Sequence, residues 1–181
     1  MEIPVSPWER WAYRFGLAGE GQADLIERAL IREPGTVLDI GCGPQGRHAA
    51  NLAALSKLLI AADKDSGMVR SARSDRPMPT NVRFLVADAF NLPFSCNSID
   101  HVIALGLFAY VKEPDGVLGE FRRVIRRHGK IFASNSVAHE RGMLIRAATA
   151  VGLRLTHDLE GRCPAASGPV KRRYLCVFEP S

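Results

Sequence analysis

A short apolar run in the sequence ends in an acid and a glycine turn. Residues 37–43 read VLDIGCG, so Asp39 lies two residues before the turn formed by Gly41 and Gly43. In open parallel sheets, ligands bind outside the carboxyl ends of the strands, where such a turn would lie. Glycines let the backbone approach a ligand closely and present its amides. The segment predicts a ligand-binding turn, although the glycines alone are a weak signal and more often mark a turn that only needs positive φ.

Two further acids follow predicted strands. Asp63 ends the apolar run 58–62, about 20 residues beyond the glycines, where a carboxylate can accept hydrogen bonds from both hydroxyls of a ribose. Asp88 follows the run 82–86. One such acid commonly caps a helix or faces solvent. Three acids at one edge of a sheet predict an adenosyl ligand.

Parallel strands separated by helices are needed to bring these residues together. Apolar, β-branched runs predict strands at 36–40, 58–62, 82–86, 99–105 and 129–134. Helical spacing of apolar residues predicts helices at 23–31, 48–55, 66–73, 113–125 and 138–151. Near-continuous apolar strands indicate an α/β fold with a doubly wound, mostly parallel sheet covered on both faces. The final runs 154–159 and 173–178 are joined only by a loop, which predicts a seven-stranded sheet with an antiparallel last strand.

Length and composition fit a single domain. The 181 residues are 46% hydrophobic, enough for one sizeable core; we expect the domain at 21–181, after an N-terminal segment at 1–20. No apolar run approaches the roughly 20 residues that span a bilayer, and no signal-peptide core is present, so we expect a cytoplasmic protein with no membrane partner. The four cysteines form no CxxC pair, so no metal site is expected.

The charged and aromatic residues leave several readings open. The formal net charge is +5, with basic clusters at 122–127 and 171–173. Such clusters can bind phosphates, but they more often form a solvated face, so nucleic acid is not an expected partner. The aromatic residues between Trp8 and Phe15 fit a mobile lid, packing on the sheet edge, or a dimer contact. We therefore expect a monomer or homodimer, and the sequence also allows a partner protein.

Successive segments of the chain resemble one known family. VLDIGCG, IAADKDSGMVRSAR, VRFLVADAFNLPF and SIDHVIALGLFAYVKEP are similar to the motifs of class I (Rossmann-like) methyltransferases that use S-adenosyl-L-methionine (SAM), nearest to the small-molecule branch. The similarity covers residues 36–134. It implies transfer of a methyl group from SAM, with S-adenosyl-L-homocysteine (SAH) as product, to an acceptor that the motifs do not identify and that we expect to be a small molecule.

The resemblance also implies which residues bind the cofactor. The acid at Asp39 would lie by the methionine amino group, Asp63 would hold the ribose, and Asp88 would meet the adenine amino group. The implied set is completed by Gly41, Cys42, Gly43, Lys64, Ala89, Phe90 and Leu105.

No catalytic residue is assigned from the sequence. Methyl transfer is an in-line displacement, so a general base is needed only when the acceptor must lose a proton. Tyr110 and His139 follow strands four and five, whereas His48 and His101 lie within predicted elements and fit structural roles better.

Two alternatives to an enzyme of this family are considered. The short stretch after strand five and the lack of an obvious base fit a non-catalytic SAM-fold module or partner subunit. The spacing Gly41-x-Gly43-x-x-Gly46 also satisfies the dinucleotide fingerprint, with Asp63 as its ribose acid. Asp39 and Asp88 argue against this NAD-binding alternative, as does the lack of room for a separate catalytic domain.

Overall fold

The computed structural model describes residues 35–44, 46–54, 56–135, 138–163 and 171–181. In chain order these residues form β1 (Thr36–Ile40), α1 (Gly46–Ala53), β2 (Leu58–Asp63), α2 (Ser66–Ser74), β3 (Val82–Val86), β4 (Ile99–Leu105), a 3₁₀ turn (Leu107–Ala109), α3 (Pro114–Val124), β5 (Ile125–Asn135), α4 (Ala138–Ala150), β6 (Leu153–Cys163) and β7 (Lys171–Pro180).

The strands form one sheet in the order β3-β2-β1-β4-β5-β7-β6. β1 pairs in parallel with both β2 and β4, and β3 and β5 continue the parallel sheet on either side. β7 runs antiparallel to β5 and β6. The doubly wound fold with an antiparallel last strand is therefore confirmed. Because the strand order reverses between β1 and β4, the carboxyl ends of these strands open the crevice in which such sheets bind ligands.

Apolar side chains from both faces of the sheet explain why the strands read as nearly continuous apolar runs. In β1, Leu38 and Ile40 join one buried cluster, in which Phe121 of α3 also lies. Val37 joins the second cluster, together with Leu52 of α1. Successive side chains of a strand point to opposite faces, so a strand covered by helices on both sides needs apolar residues throughout.

Several predictions concern residues outside the described ranges. The predicted helix at 23–31 and the N-terminal segment 1–20 both lie there, so the division of the chain at residue 21 stays a prediction. Among the described residues, no helix is long and apolar enough to cross a membrane. The cytoplasmic location stays a prediction.

The start of β5 differs from the prediction. The predicted strand begins at residue 129, but the observed one begins at Ile125. Ile99 of β4 pairs with Ile125, whereas His101 pairs with Lys130, so β5 carries extra residues between the two pairs. This irregularity, which no local sequence pattern signals, depends on the pairing with β4.

Gly129 lies at this irregularity, where the backbone is tightly packed. A Cβ atom on Gly129 would lie 2.4 Å from both the backbone oxygen of Asp100 and Cγ1 of Ile125. Asp100 is itself held in place, because its carboxylate accepts hydrogen bonds from the backbone N–H of Thr36 at 2.7 Å and from Arg126 at 2.5 Å. The glycine is required for close packing between β4 and β5.

We expect Gly129→Ala to lower the free energy of unfolding by about 1 to 3 kcal/mol, because the added methyl group overpacks a site whose neighbours are fixed. Urea unfolding measures this change. Gly119→Ala in α3 is the matched control: its Cβ would meet nothing within 4 Å, and alanine should stabilise the helix by about 0.5 to 1 kcal/mol. Equal effects of the two substitutions would contradict this account.

Candidate cofactor site

A pocket of about 610 Å³ opens at the carboxyl ends of the central strands. Among the residues that line it are eight of the ten predicted from the sequence: Gly41, Gly43, Asp63, Lys64, Asp88, Ala89, Phe90 and Leu105. The other two predicted residues, Asp39 and Cys42, do not line it. The structure adds residues that sequence reasoning missed, among them Pro44, Asp65, Met68, Gly106, Leu107 and Val111. The described elements bring the predicted set to one place; that its members bind a cofactor stays a prediction.

The turn after β1 is shaped by its two glycines. Gly41 and Gly43 have φ angles of 78° and 62°, which residues with a side chain rarely adopt. The backbone N–H groups of Gly41 and Cys42 donate to the carbonyl of Ala62 at 2.8 and 3.0 Å, which ties the turn to β2. A Cβ atom on Gly43 would meet nothing within 4 Å. The turn therefore leaves open space for a ligand above Gly43.

The Asp63 carboxylate joins the ends of β1 and β2. It accepts hydrogen bonds from the backbone N–H of Gly43 at 3.1 Å and from that of Asp65 at 3.0 Å. Asp65 in turn caps α2 by accepting from the backbone N–H of Gly67 at 2.6 Å. Because each carboxylate oxygen has more than one acceptor site, Asp63 retains the capacity to accept from ligand hydroxyls.

Phe90 forms an apolar wall of the pocket. Asp88 accepts a hydrogen bond from the backbone N–H of Phe90 at 2.9 Å, which sets the turn after β3. The side chain of Phe90 is 49% exposed, although a Cβ atom on Gly116 of α3 would lie only 3.0 Å from its ring. Phe90 thus packs against α3 and leaves part of its ring accessible to a flat ligand.

A salt bridge in α3 holds the loop that follows Phe90. Arg123 pairs with Glu120 at 2.7 Å and donates to the backbone carbonyls of Phe94 and Leu92 at 2.7 and 2.9 Å. Glu120 accepts from the backbone N–H of Leu92 at 2.9 Å. From the sequence, Arg123 belongs to a basic cluster that is expected to form a solvated face. The structure gives it a positioning role, which the run of arginines does not signal.

Comparison with known proteins gives the family of the chain. Residues 38–133, just over half of its length, match the family model described as a methyltransferase domain. The chain belongs to this methyltransferase family. It is of the class I, SAM-dependent type, as the motifs predict.

Two relatives and one solved structure show the extent of the similarity. The chain is 32% identical over 139 residues to the methyltransferase GfsG of Streptomyces halstedii, an alignment that covers 74% of this chain and 49% of GfsG. It is 34% identical over 112 residues to the ubiquinone/menaquinone biosynthesis C-methyltransferase UbiE of Hahella chejuensis, covering 59% of this chain and 45% of UbiE. The chain thus spans about half the length of these relatives. A SAM-dependent methyltransferase from Methanosarcina mazei shares the fold, with a TM-score of 0.73, 16% identity, and coverage of 86% of this chain and 96% of that one.

Asp39 lies buried within β1 of this methyltransferase domain. The residue is only 4% exposed, and burial raises its pKa to about 7, with a further contribution from the neighbouring Asp63 carboxylate. Cys42 is half-buried, and its Sγ lies 3.6 Å from the backbone oxygen of Gly43. Burial, with Asp39 and then Asp63 adding to it, raises the pKa of Cys42 to about 12, so its thiol stays protonated at neutral pH.

Of the candidate bases whose side chains the structure describes, Tyr110 is the one that lines the pocket. It lines the pocket just after the 3₁₀ turn and is 89% exposed. His101 is buried in β4, and its ring makes an edge contact with Phe132 at a centroid distance of 6.4 Å, which fits the structural role predicted for it. The side chains of His48 and His139 lie outside the described part of the structure.

We expect Asp39→Asn to stabilise the ligand-free protein at alkaline pH. The folded-state pKa of about 7 exceeds the ordinary 3.8, so between these pH values the folded chain holds a proton that the unfolded chain has lost. The free energy of unfolding therefore falls as the pH rises through this window. Asparagine does not ionise, so the substitution should raise the free energy of unfolding by at most about 4 kcal/mol near pH 8 and by little near pH 4.

Urea unfolding of both proteins near the two pH values tests this expectation. Asp75→Asn, at an exposed carboxylate paired with the neighbouring Arg76, is the control and should change stability by less than about 1 kcal/mol at either pH. A gain for Asp39→Asn that does not depend on pH would contradict the argument from a buried charge.

Proposed function

We propose that this domain transfers a methyl group from SAM to a small-molecule acceptor and releases SAH. The observation that carries the proposal is that Asp63 and Asp88 line one pocket together with the positive-φ glycine turn, which Asp39 precedes by two residues in β1. Bound SAM supplies a methyl group on a sulfonium, which an acceptor atom attacks in line with the breaking carbon–sulfur bond. The chain's own task is then to bind, orient and exclude water.

The pocket has the size and chemistry that an adenosyl ligand needs. Its volume of about 610 Å³ lies within the range of about 300 to 1,000 Å³ typical of small-molecule sites. Asp63 would accept hydrogen bonds from ribose hydroxyls through its remaining lone pairs. Asp88 would meet the adenine amino group, and Phe90 would cover the ring.

Asp39 would serve the cationic end of the cofactor. A ligand ammonium beside the carboxylate would offset the cost of ionising it where it is buried. Because Asp39 has a pKa of about 7 in the ligand-free protein, binding of the cation should release a proton in the neutral range. This coupling requires no contribution from the Cys42 thiol.

An adjoining pocket of about 290 Å³ would hold the acceptor. It lies between the segment after β4 and helix α4, and it shares Tyr110 and Val111 with the larger pocket. Its walls include the apolar side chains of Phe108, Met143 and Leu144. We therefore assign an apolar small molecule as acceptor, with Tyr110 at the junction positioned to orient it.

Calorimetric titration with SAH should show binding with a dissociation constant in the micromolar range, and NAD should not compete. Asp63→Ala should weaken SAH binding by about 1 to 3 kcal/mol, the usual effect of leaving hydrogen-bonding groups unpaired. Asp75→Ala, at an exposed site, is the control and should bind as the original chain does. Absence of SAH binding would reject the proposed function, and an unchanged affinity of Asp63→Ala would reject the ribose assignment alone.

The affinity for SAH should also increase with pH between about 5.5 and 7.5, because the positive charge of the ligand ammonium favours the ionised form of Asp39. Calorimetry in buffers of different ionisation enthalpy should detect the released proton. Asp39→Asn should bind more weakly and lose this pH dependence. If Asp39→Asn keeps the same pH dependence, another group titrates.

A further inference from the structure

A second pocket, of about 630 Å³, opens at the opposite end of the parallel strands. It is lined by Asn97, Arg122, Arg126, Arg127, His128 and Ser181. Asn97 precedes β4, whereas Leu105, in the cofactor pocket, ends it. Seven residues of strand span about 20 Å. A ligand in this second pocket, called here the basic pocket, is therefore too far away to be the methyl acceptor.

The arginines of this region differ in what they already bind. Arg123 is used by Glu120 and two carbonyls, as described above, and does not line the basic pocket. Arg126 pairs with Asp100. Arg122 and Arg127 make no ion pair or side-chain hydrogen bond with any residue in the described ranges, yet both line the basic pocket. Among the arginines that line the basic pocket, these two guanidinium groups are therefore the ones that no described residue engages.

The side chain of Arg122 lies in the last turn of α3, but it is not needed there to satisfy the carbonyl groups at the C-terminal end of the helix. The carbonyl of Phe121 accepts from the backbone N–H of Ile125. The carbonyls of Arg123 and Val124 accept from the backbone N–H groups of Asn97 and Ser98 at 3.0 and 2.8 Å. Backbone amides thus already satisfy three of the last four carbonyls of the helix.

Nearby carboxylates do not neutralise the basic pocket either. Asp100 is engaged by Arg126 and by the backbone N–H of Thr36. Glu179 is shared by Lys130 and Arg154 at 3.1 and 3.2 Å. With Arg126 neutralised by Asp100, Arg122 and Arg127 leave the pocket net positive even with a carboxylate counted at Ser181.

We propose that the basic pocket is a second ligand site, which binds a small anion carrying two linked phosphate groups through Arg122 and Arg127. A guanidinium presents paired N–H donors that match phosphate oxygens, and two such groups facing one cavity suit a diphosphate. His128 adds a hydrogen-bond donor. The six lining residues include no Phe, Tyr or Trp ring on which bases could stack, which favours a small anion over single-stranded nucleic acid.

Calorimetric titration with inorganic pyrophosphate tests the proposal, with SAH added to occupy the cofactor pocket. The original chain should bind pyrophosphate, and the double variant Arg122→Gln/Arg127→Gln should bind at least about tenfold more weakly, because it loses two charge-assisted contacts. Arg70→Gln/Arg73→Gln is the matched control. It removes the same charge from exposed positions of α2 and should bind within about twofold of the original chain.

Each other outcome has a definite meaning. No binding of pyrophosphate by the original chain overturns the proposal, and so does equal weakening in both double variants, which would show attraction by net charge alone. Binding of a short single-stranded RNA that the pocket variant loses, and that pyrophosphate does not compete with, would overturn it in favour of nucleic acid. All variants should unfold in urea as the original chain does. The proposal does not depend on methyl transfer: a failure of SAH to bind would leave the comparison of the two variants intact.

Discussion

The hydrogen bonds of the Asp63 carboxylate are the interaction on which the candidate site depends. One oxygen holds the turn after β1 through the N–H of Gly43, and the other holds the start of α2 through the N–H of Asp65. Parallel neighbours need a crossover connection and cannot be joined by a tight hairpin. A side chain that bonds to both the turn after β1 and the start of α2 therefore holds these two segments in place relative to each other. The same carboxylate then presents its remaining lone pairs to the pocket.

The position of a second acid, Asp39, close to Asp63 affects the stability of the protein. Asp39 is buried in β1, two residues before the same turn, and it is repelled by Asp63. Together these effects raise the pKa of Asp39 to about 7. In the ligand-free protein, ionising this group opposes folding, whereas a bound cation would relieve the repulsion. A site that binds a cationic ligand tightly is thus expected to be less stable when empty. This trade between stability and binding follows from the burial of Asp39 and its repulsion by Asp63.

Helix α3 connects the two ends of the molecule. On one side, Glu120 and Arg123 hold the loop whose beginning, at Phe90, lines the cofactor pocket. On the other side, the residues that follow Arg123 pass into β5 and form the basic pocket. Adjacent arginines of one basic run thus serve different purposes, because successive residues of a helix point in different directions.

The sequence by itself determined the architecture and most of the candidate site. The apolar runs predict β1, β3 and β4 with their observed limits, and the acids and glycines at the strand ends predict a pocket that eight of ten named residues line. These features are local: strand periodicity, turn-forming glycines and the position of an acid after a strand are all read within a few residues.

Only the tertiary structure decided features that depend on partners far apart in the chain. Arg123 meets the carbonyl of Leu92, 31 residues away, whereas its neighbour Arg122 faces the basic pocket, and no local pattern separates the two. Likewise, the early start of β5 depends on its pairing with β4, and the burial of Asp39 depends on the strands on either side of it. Which polar groups are paired, buried or left to a ligand is settled by packing between elements, because each group's partners and solvent exposure are defined only when the sheet and helices come together.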